Sequence, residues 1–206
     1  MRPKILRLTY EQYDKIGNGG MIYINDLDIN IELDIKLNNE SIRNKIKNKN
    51  FTDIENWDVS GVTDMSNLFS NITNFNQDIS NWDVSNVTDM SFMFQYCYNF
   101  NQDIGNWNVS NVTDMNYMFF ECFSFDQDIG NWNVSNVIDM SHMFNGCNDF
   151  NKDIGNWNVS NVIDMSHMFC DCREFNQDIG NWNVSNVINM SYMFCESEHI
   201  INFNQD

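Results

Sequence analysis

Aspartates recur at a fixed interval along this chain and offer the plainest chemistry. If successive repeats stack about 5 Å apart, neighbouring carboxylates repel by roughly 0.8 kcal/mol in water. Either backbone N–H groups at turns or cations such as calcium must offset that repulsion. The asparagine that ends one set favours backbone capping, because Asn also caps. The first aspartate ladder is Asp53, Asp78, Asp103, Asp128, Asp153 and Asp178, and the second is Asp64, Asp89, Asp114, Asp139 and Asp164, followed by Asn189.

Histidine and cysteine, the usual zinc ligands, also recur one repeat apart. His142 is followed by His167, and Cys170 by Cys195, so a tetrahedral zinc site can be drawn from these four residues. In the other repeats, aromatic residues fill most of the histidine positions, and Ser, Gln, Phe or Asn fills the cysteine position. Ordinary variation of a surface position explains this pattern more simply, so we predict no metal and no other cofactor.

Four further cysteines form a ladder of their own, with isoleucine at the same position in the first repeat. The isoleucine indicates a buried apolar site, where a free cysteine acts as a small hydrophobic residue. This spacing is not that of a disulfide framework, and we predict that all six cysteines are reduced. The ladder consists of Cys97, Cys122, Cys147 and Cys172, with Ile72 in the first copy.

The chain shows no sign of catalytic machinery. No serine, cysteine or histidine stands in a unique polar constellation, and the sequence contains no glycine-rich phosphate-binding loop. Near-identical units offer an extended surface, whereas catalysis needs dissimilar groups that converge on one point. We therefore predict a protein that is not an enzyme and has no catalytic residues.

A repeat of 25 residues must position all of these side chains. A fixed period of this length is typical of a solenoid, in which each repeat is one structural unit that stacks on the last. All six tryptophans obey the period: Trp57, Trp82, Trp107, Trp132, Trp157 and Trp182.

Each repeat contains two patterns of apolar residues, one after the other. Residues 79–84 alternate as in a strand, and residues 90–97 have the i, i+3, i+4, i+7 spacing of one helical face. The fold class predicted is an α/β repeat solenoid of the leucine-rich-repeat type, with stacked parallel strands and short helices on the opposite side. Serines such as Ser91 would be helix N-caps. Positions four residues after each Trp, Gly61 and then Asn86 onwards, would have positive φ.

The repeat consensus resembles a known family. The run N-V-T-D-M-S-x-M-F-x-x-C-x-x-F-N-x-D-I-x-N-W-D-V-S is similar to the BspA-like leucine-rich repeat family of bacterial, protozoan and giant-virus proteins, over about residues 51–206. The resemblance implies a leucine-rich-repeat-type solenoid that serves as a surface or interaction module, with no catalytic residues to carry over. Bacterial members are typically exported surface proteins.

The outward-facing residues around each tryptophan form a hypothetical binding face. Solenoids usually engage partners on such a surface, but stacked asparagines can also hydrogen-bond along the ladder and recognise nothing. The face comprises Asp58, Asp83, Asn108, Asn133, Asn158 and Asn183 after the tryptophans, and Asn81, Asn106, Asn131, Asn156 and Asn181 before them.

Charge divides the chain into two predicted domains. Residues 1–50 have a net charge of +2, whereas residues 51–206 hold 22 acidic and two basic residues. We predict a small β-rich N-terminal cap or docking segment with a basic linker around residues 43–49, followed by a solenoid of about six repeats.

Acidity of this degree excludes nucleic acid and anionic membranes as partners. A secretory signal and an apolar membrane span are both missing, which favours a cytoplasmic or virion-associated protein over a secreted one.

The function predicted from these features is a non-enzymatic protein–protein interaction module with an extended polar, acidic surface and an unknown protein partner. The alternative is a structural or assembly protein, for example a virion or coat component, that associates end to end. The sequence stops in mid-repeat, so we expect a monomer or weak self-association through the C-terminal edge around residues 194–206.

Overall fold

The structure, a computed structural model, describes residues 36–49 and 51–195 as a stack of 25-residue coils. Each coil lies against its neighbour so that equivalent residues are adjacent. Five successive parallel bridges join residues 25 apart, from Asp64–Asp89 to Asp164–Asn189, and a further bridge joins Lys36 to Asp58 at the start. The repeat seen in the sequence is therefore the unit of the fold.

The predicted α/β fold class, with stacked strands and opposing short helices, is wrong. In the described ranges the structure contains one α-helix, α1 (Asn39–Lys47), a single 3-10 turn (Ile54–Asn56), isolated bridges and no β-strand. The segments expected to form helices, such as residues 90–97, consist mainly of tight turns, and those expected to form strands, such as residues 79–84, combine a turn with irregular backbone.

The backbone hydrogen bonds explain why neither regular element forms. The N–H groups of Met65, Asn67 and Phe69 donate to carbonyls of the next coil, 24 residues later, at 2.8–2.9 Å. Between them, the N–H groups of Leu68 and Ser70 donate to carbonyls three residues earlier in the same coil, at 3.1 and 3.2 Å. An α-helix requires every N–H to bond four residues back, and a strand requires partners on other chain segments only. Alternation between the two patterns excludes both.

Left-handed residues make this alternation possible, but they are not the expected ones. Gly61 and the equivalent asparagines, from Asn86 onwards, lack positive φ. A Cβ at Gly61 would lie 2.5 Å from the carbonyl oxygen of Leu37, so close approach is what favours glycine there. Asn86 instead donates its side-chain N–H to the carbonyl of Ser60 at 3.0 Å. The first left-handed position of each coil, with φ of 54–58°, is Asn67, Phe92, Tyr117, His142, His167 and Tyr192.

The apolar residues of the repeat form one continuous core. The carbonyl of Ile79 accepts a hydrogen bond from the indole N–H of Trp107, in the next coil, at 3.1 Å. Side-chain hydrogen bonds therefore also link neighbouring coils. The ring centroid of Phe94 lies 3.9 Å from Phe100 in its own coil and 5.6 Å from Phe119 in the next. Burial of each such ring contributes about 1.5–3 kcal/mol to folding. The core residues of one coil are Ile79, Trp82, Val84, Val87, Met90, Met93, Phe94, Cys97 and Phe100.

Helix α1 packs on the first coil and replaces a preceding one. Asn38 caps it by accepting the backbone N–H of Ser41 at 2.9 Å, while the Ser41 hydroxyl accepts the N–H of Asn38 at 2.8 Å. Ile42 and Ile46 are buried against the coil. The segment expected as a basic linker around residues 43–49 is thus mostly helix, and its apolar face closes this end of the core.

Two expectations fall outside the described residues. They are the β-rich element expected N-terminal to residue 36 and the open C-terminal edge beyond residue 195. Within the described residues, no helix has both the length and the apolar character needed to cross a membrane.

Candidate binding face

Both aspartate ladders satisfy backbone N–H groups at turns. In the second ladder, the Oδ1 atoms of the aspartates and of Asn189 accept the N–H two residues later at 2.8–3.1 Å. In the first ladder, five of the six do the same at 2.9–3.1 Å. Asp53 departs from the pattern, since it is left-handed and makes no such cap. The prediction of backbone capping is confirmed, and the expectation that Ser91 caps a helix is wrong: its hydroxyl and N–H donate to Asp89 instead.

The residues of the hypothetical binding face lie on turns before the tryptophans and on irregular backbone after them, and Asp58 alone among them forms an isolated bridge, to Lys36. All eleven are exposed except Asp58, which is half-buried. The six that follow the tryptophans each accept the N–H of the serine two residues later, at 3.0–3.2 Å. One side-chain oxygen of each is therefore occupied locally. Binding by this surface stays a prediction.

A second surface, not foreseen from the sequence, consists of aromatic rings. Five rings at the first left-handed position stack in a column with centroid separations of 4.7, 4.2, 4.4 and 5.0 Å. Four more rings join them through contacts of Tyr117 with Phe120 at 5.3 Å and of Phe120 with Tyr96 at 5.3 Å. Most are half-buried, and Tyr192 is 69% exposed. We call this surface the aromatic face: Phe92, Tyr96, Tyr98, Tyr117, Phe120, Phe123, His142, His167 and Tyr192.

The backbone conformation makes these rings unexpected. Bulky residues with positive φ are uncommon, and the left-handed conformation costs about 1–2 kcal/mol. Asparagine tolerates it better and occurs at the first such position, Asn67. Stacked aromatic pairs contribute about 0.5–1.5 kcal/mol each beyond burial, which offsets much of the cost. The sequence did hold the signal, because five of six equivalent positions carry rings at intervals of 25 residues.

The second aspartate ladder runs beside the aromatic face and gives it a negative potential. Burial raises the pKa of Tyr117, and the carboxylates of Asp139 and Asp164 raise it further. Burial lowers the pKa of His142, as does its neighbour His167, while the same two carboxylates partly oppose the change. A phenol and an imidazole both sense these carboxylates, so a cation at the rings would sense them too.

The ladder carboxylates themselves differ according to the side chain two residues on. Burial disfavours ionised Asp164, but hydrogen bonds from Ser166 and Asn189 outweigh it and lower the pKa of Asp164. Burial raises the pKa of Asp114, where Asn116 offers only its backbone N–H. The side-chain oxygen of Asn116 is buried without a hydrogen-bond partner. Hydrogen bonds therefore satisfy the carboxylate of Asp114 less well than that of Asp164.

Exposed isoleucines precede the later rungs of the second ladder. Ile138, Ile163 and Ile188 are 47%, 41% and 84% exposed, respectively. Threonine occupies the equivalent position in the earlier coils, where the hydroxyl of Thr88 donates to the carbonyl of Thr63 at 3.2 Å. The later coils thus add apolar surface next to carboxylates.

The cysteines divide into two groups. The ladder from Cys97 to Cys172 is free and buried, as predicted, and burial raises the pKa of Cys97 to about 12. These thiols donate to carbonyls 28 residues earlier at 3.0–3.2 Å. The prediction that all six cysteines are reduced is wrong, because Cys170 and Cys195 form a disulfide with Cα atoms 4.5 Å apart. His167 lies beside it, with Nδ1 at 4.0 Å from Sγ of Cys195.

Comparison with known proteins identifies one family. The family described as "Mycoplasma protein of unknown function, DUF285" matches residues 38–144 and again residues 120–206. Together these two matches span the whole stack of coils and most of the chain. Neither a curated protein nor a solved structure matches the sequence.

Proposed function

We propose, on the premise that this chain belongs to the family described as "Mycoplasma protein of unknown function, DUF285", that it is a non-enzymatic binding module for another protein. Its aromatic face takes a segment of the partner that carries lysine or arginine. The observation that carries this proposal is a continuous column of half-exposed rings beside a ladder of carboxylates. The resemblance of the repeat to BspA-like interaction modules points the same way.

The pairing of rings and carboxylates suits a cationic side chain. A lysine or arginine within about 6 Å of an aromatic ring gains about 0.5–2 kcal/mol from the cation–π interaction. Its methylene stem can pack on exposed apolar groups such as Ile138, while its charge approaches a carboxylate such as Asp139. Several such contacts along successive coils add up to specific binding.

The first coil contains both contacts within the chain itself. The guanidinium of Arg43 donates to Oδ1 of Asp64, the first rung of the second ladder, at 2.8 Å and to the carbonyl of Ser66 at 2.7 Å. The ammonium of Lys45 lies 4.4 Å from the ring centroid of Trp57. Helix α1 is thus an internal example of a basic segment that docks on a coil.

Long-range electrostatics favour the same class of partner. Residues 51–206 carry 22 acidic and two basic residues. Such a surface attracts basic segments and speeds their association at low salt. It repels phosphate backbones and anionic lipids, so a basic protein segment is the better partner.

A labelled Lys/Arg-rich peptide tests the proposal by fluorescence anisotropy. The variant Tyr117→Asn/His142→Asn removes two central rings and keeps every carboxylate, and asparagine already occupies the equivalent position at Asn67. We expect about tenfold weaker binding, since each ring contributes about 0.5–1 kcal/mol at a half-exposed site. The matched control, Asn131→Ser/Asn156→Ser on the other surface, should bind like the native chain.

Two results would refute the proposal. One is equal weakening by the control variant, which would place binding elsewhere or reveal general charge attraction. The other is equal affinity for a peptide in which glutamine replaces every lysine and arginine, because that peptide keeps the backbone and loses the cations.

End-to-end assembly is a second candidate function, favoured by the last described coil. Met190 is 42% exposed, whereas its equivalent in the preceding coil, Met165, is fully buried. Salt screens the negative charge that keeps two copies apart, with a range of about 8 Å at physiological ionic strength. Light scattering over a salt series should therefore show growing assemblies if this function holds, and a constant monomer mass if it does not.

A further inference from the structure

Three zinc-binding side chains converge where the last two described coils meet. The imidazole of His167 and the sulfurs of Cys170 and Cys195 offer ligand atoms that all lie within 4.8 Å of one another. Two ligand atoms on one tetrahedral zinc ion, at 2.0–2.3 Å from the metal, are separated by about 3.5–3.8 Å. The 4.0 Å between Nδ1 of His167 and Sγ of Cys195 is close to that separation.

The turn itself creates this convergence. Cys170 donates its backbone N–H to the carbonyl of His167 at 3.1 Å, which brings residues i and i+3 to one side of a tight turn. In the preceding coil the equivalent pair also meets, since Nδ2 of Asn145 lies 3.2 Å from Nδ1 of His142. Cys195 then adds its sulfur from the next coil along the stack.

A half-buried aspartate beside the cluster, with one buried and unpaired oxygen, is a second, independent observation. Oδ1 of Asp171 is buried without a hydrogen-bond partner, and its Oδ2 lies 4.0 Å from Sγ of Cys170. An unpaired buried carboxylate oxygen is costly in a folded protein. A divalent cation held by the neighbouring sulfurs would stabilise it.

We propose that His167, Cys170 and Cys195 bind one zinc ion when the two cysteines are reduced. Two thiolates and one imidazole form a soft ligand set that favours zinc over calcium or magnesium. A fourth position on the metal remains for water. The site shares His167 with the aromatic face, but the zinc proposal does not rest on peptide binding there.

The same two sulfurs serve the disulfide and the metal, so the two states exclude each other. A dithiol reductant breaks the S–S bond and supplies two electrons and two protons, which yields two thiols and an oxidised, cyclic disulfide reagent. Zinc then forms one Zn–N and two Zn–S bonds and displaces the two thiol protons. Zinc binding is therefore expected only in the reduced chain.

The other four thiols make a weak alternative site. Cys97, Cys122, Cys147 and Cys172 are buried in the core, and each thiol donates to a backbone carbonyl. The described residues place no other group of three zinc-binding side chains together. In the folded chain, zinc is expected to reach the His167 cluster first.

A competition titration of zinc against a chromophoric chelator tests the proposal on the full chain, first reduced and then air-oxidised. Cobalt(II) serves as a spectroscopic probe, because tetrahedral thiolate ligation gives intense visible bands and a near-ultraviolet charge-transfer band. The variants are Cys170→Ser/Cys195→Ser and His167→Phe, with His142→Phe as the matched control. Serine and phenylalanine occupy equivalent positions in earlier coils, at Ser70 and Phe92, which favours native folding of the variants. Tryptophan fluorescence checks that each variant is folded.

We expect one zinc ion per reduced native chain, at least tenfold weaker binding by His167→Phe, and no zinc bound to the double cysteine variant. The control should bind like the native chain. The proposal is overturned if the reduced native chain binds no zinc, or if the oxidised chain binds it equally well. It is also overturned if the double cysteine variant keeps the metal, or if His142→Phe weakens binding as much as His167→Phe.

Discussion

Replacement of Asn116 by serine should stabilise the chain, and the size of the gain follows from its neighbours. In two other coils the serine at this position donates its hydroxyl to the ladder aspartate: Ser91 to Asp89 at 2.7 Å and Ser166 to Asp164 at 2.6 Å. A hydrogen bond to a charged group contributes about 1.5–3 kcal/mol, and less where solvent reaches it. Asn116→Ser also removes a buried oxygen without a partner. We expect a net gain of about 1–2 kcal/mol at pH 7.

The pH dependence of that gain has a definite sign. Burial raises the pKa of Asp114 in the native chain, so its ionisation destabilises the fold at neutral pH. The new hydroxyl lowers the pKa of Asp114, as that of Ser166 does for Asp164. The unfolded pKa is the same for both chains, so the gain is fully present above the raised folded pKa of Asp114 in the native chain and is lost as the pH falls through the lower folded pKa in the variant.

Urea unfolding at pH 7 measures the stability, and carbon-13 NMR of the Asp114 carboxyl measures its pKa. Ser166→Asn provides the reverse control and should lose stability while the pKa of Asp164 rises. If Asn116→Ser leaves both the urea midpoint and the Asp114 pKa unchanged, the assigned role of the hydroxyl is refuted.

Three further predictions concern the core, the thiols and the ladders. Trp132 is 4% exposed and donates its indole N–H to the carbonyl of Ile104 at 3.1 Å. Trp132→Ala should therefore lower the free energy of unfolding by about 3–5 kcal/mol and the melting temperature by about 6–20 °C. A calorimetric shift of only a degree or two would contradict this prediction. The four free cysteines are buried, and burial raises the pKa of Cys97 to about 12. We expect them to react with a thiol reagent only after unfolding. Rapid labelling of these thiols in the native chain would count against their place in the core. Because backbone N–H groups satisfy both ladders, millimolar calcium should shift the melting temperature only slightly, whereas a saturable rise abolished by chelator would show an ion site.

The sequence was sufficient to predict the unit of the fold and its interior. Residues with identical spacing in every copy, such as Trp107, Val109 and Met115, must face the same environment in every coil, and all three are buried. The capping role of the aspartates also followed, because Asn189 replaces one of them with a side chain that shares only the hydrogen-bonding function.

The secondary structure could not be predicted because two backbone conformations, a helix and a series of turns, can bury the same apolar residues. The spacing of Met90, Met93, Phe94 and Cys97 matches a helical face, but consecutive three-residue turns bury the same four residues. Phe92 distinguishes the turns from a helix, because its φ of 58° is incompatible with a right-handed α-helix. Rings rarely adopt that conformation, so no local rule indicated it.

The cysteine pair illustrates a similar limit. Stacking brings equivalent residues close enough for a disulfide at any position, and Cys170 and Cys195 have Cα atoms 4.5 Å apart. Yet Cys147 and Cys172, also one repeat apart, are free and donate to separate carbonyls. Side-chain direction decides between the two outcomes, and the repeat period does not encode it.

Chemical-shift mapping with the Lys/Arg-rich peptide tests the central claim most directly. The proposal predicts saturable shifts that are largest at the rings of Tyr117, His142 and His167. Shifts that are largest at Asn131 and Asn156, or an absence of saturable shifts at the rings, would contradict binding at the aromatic face.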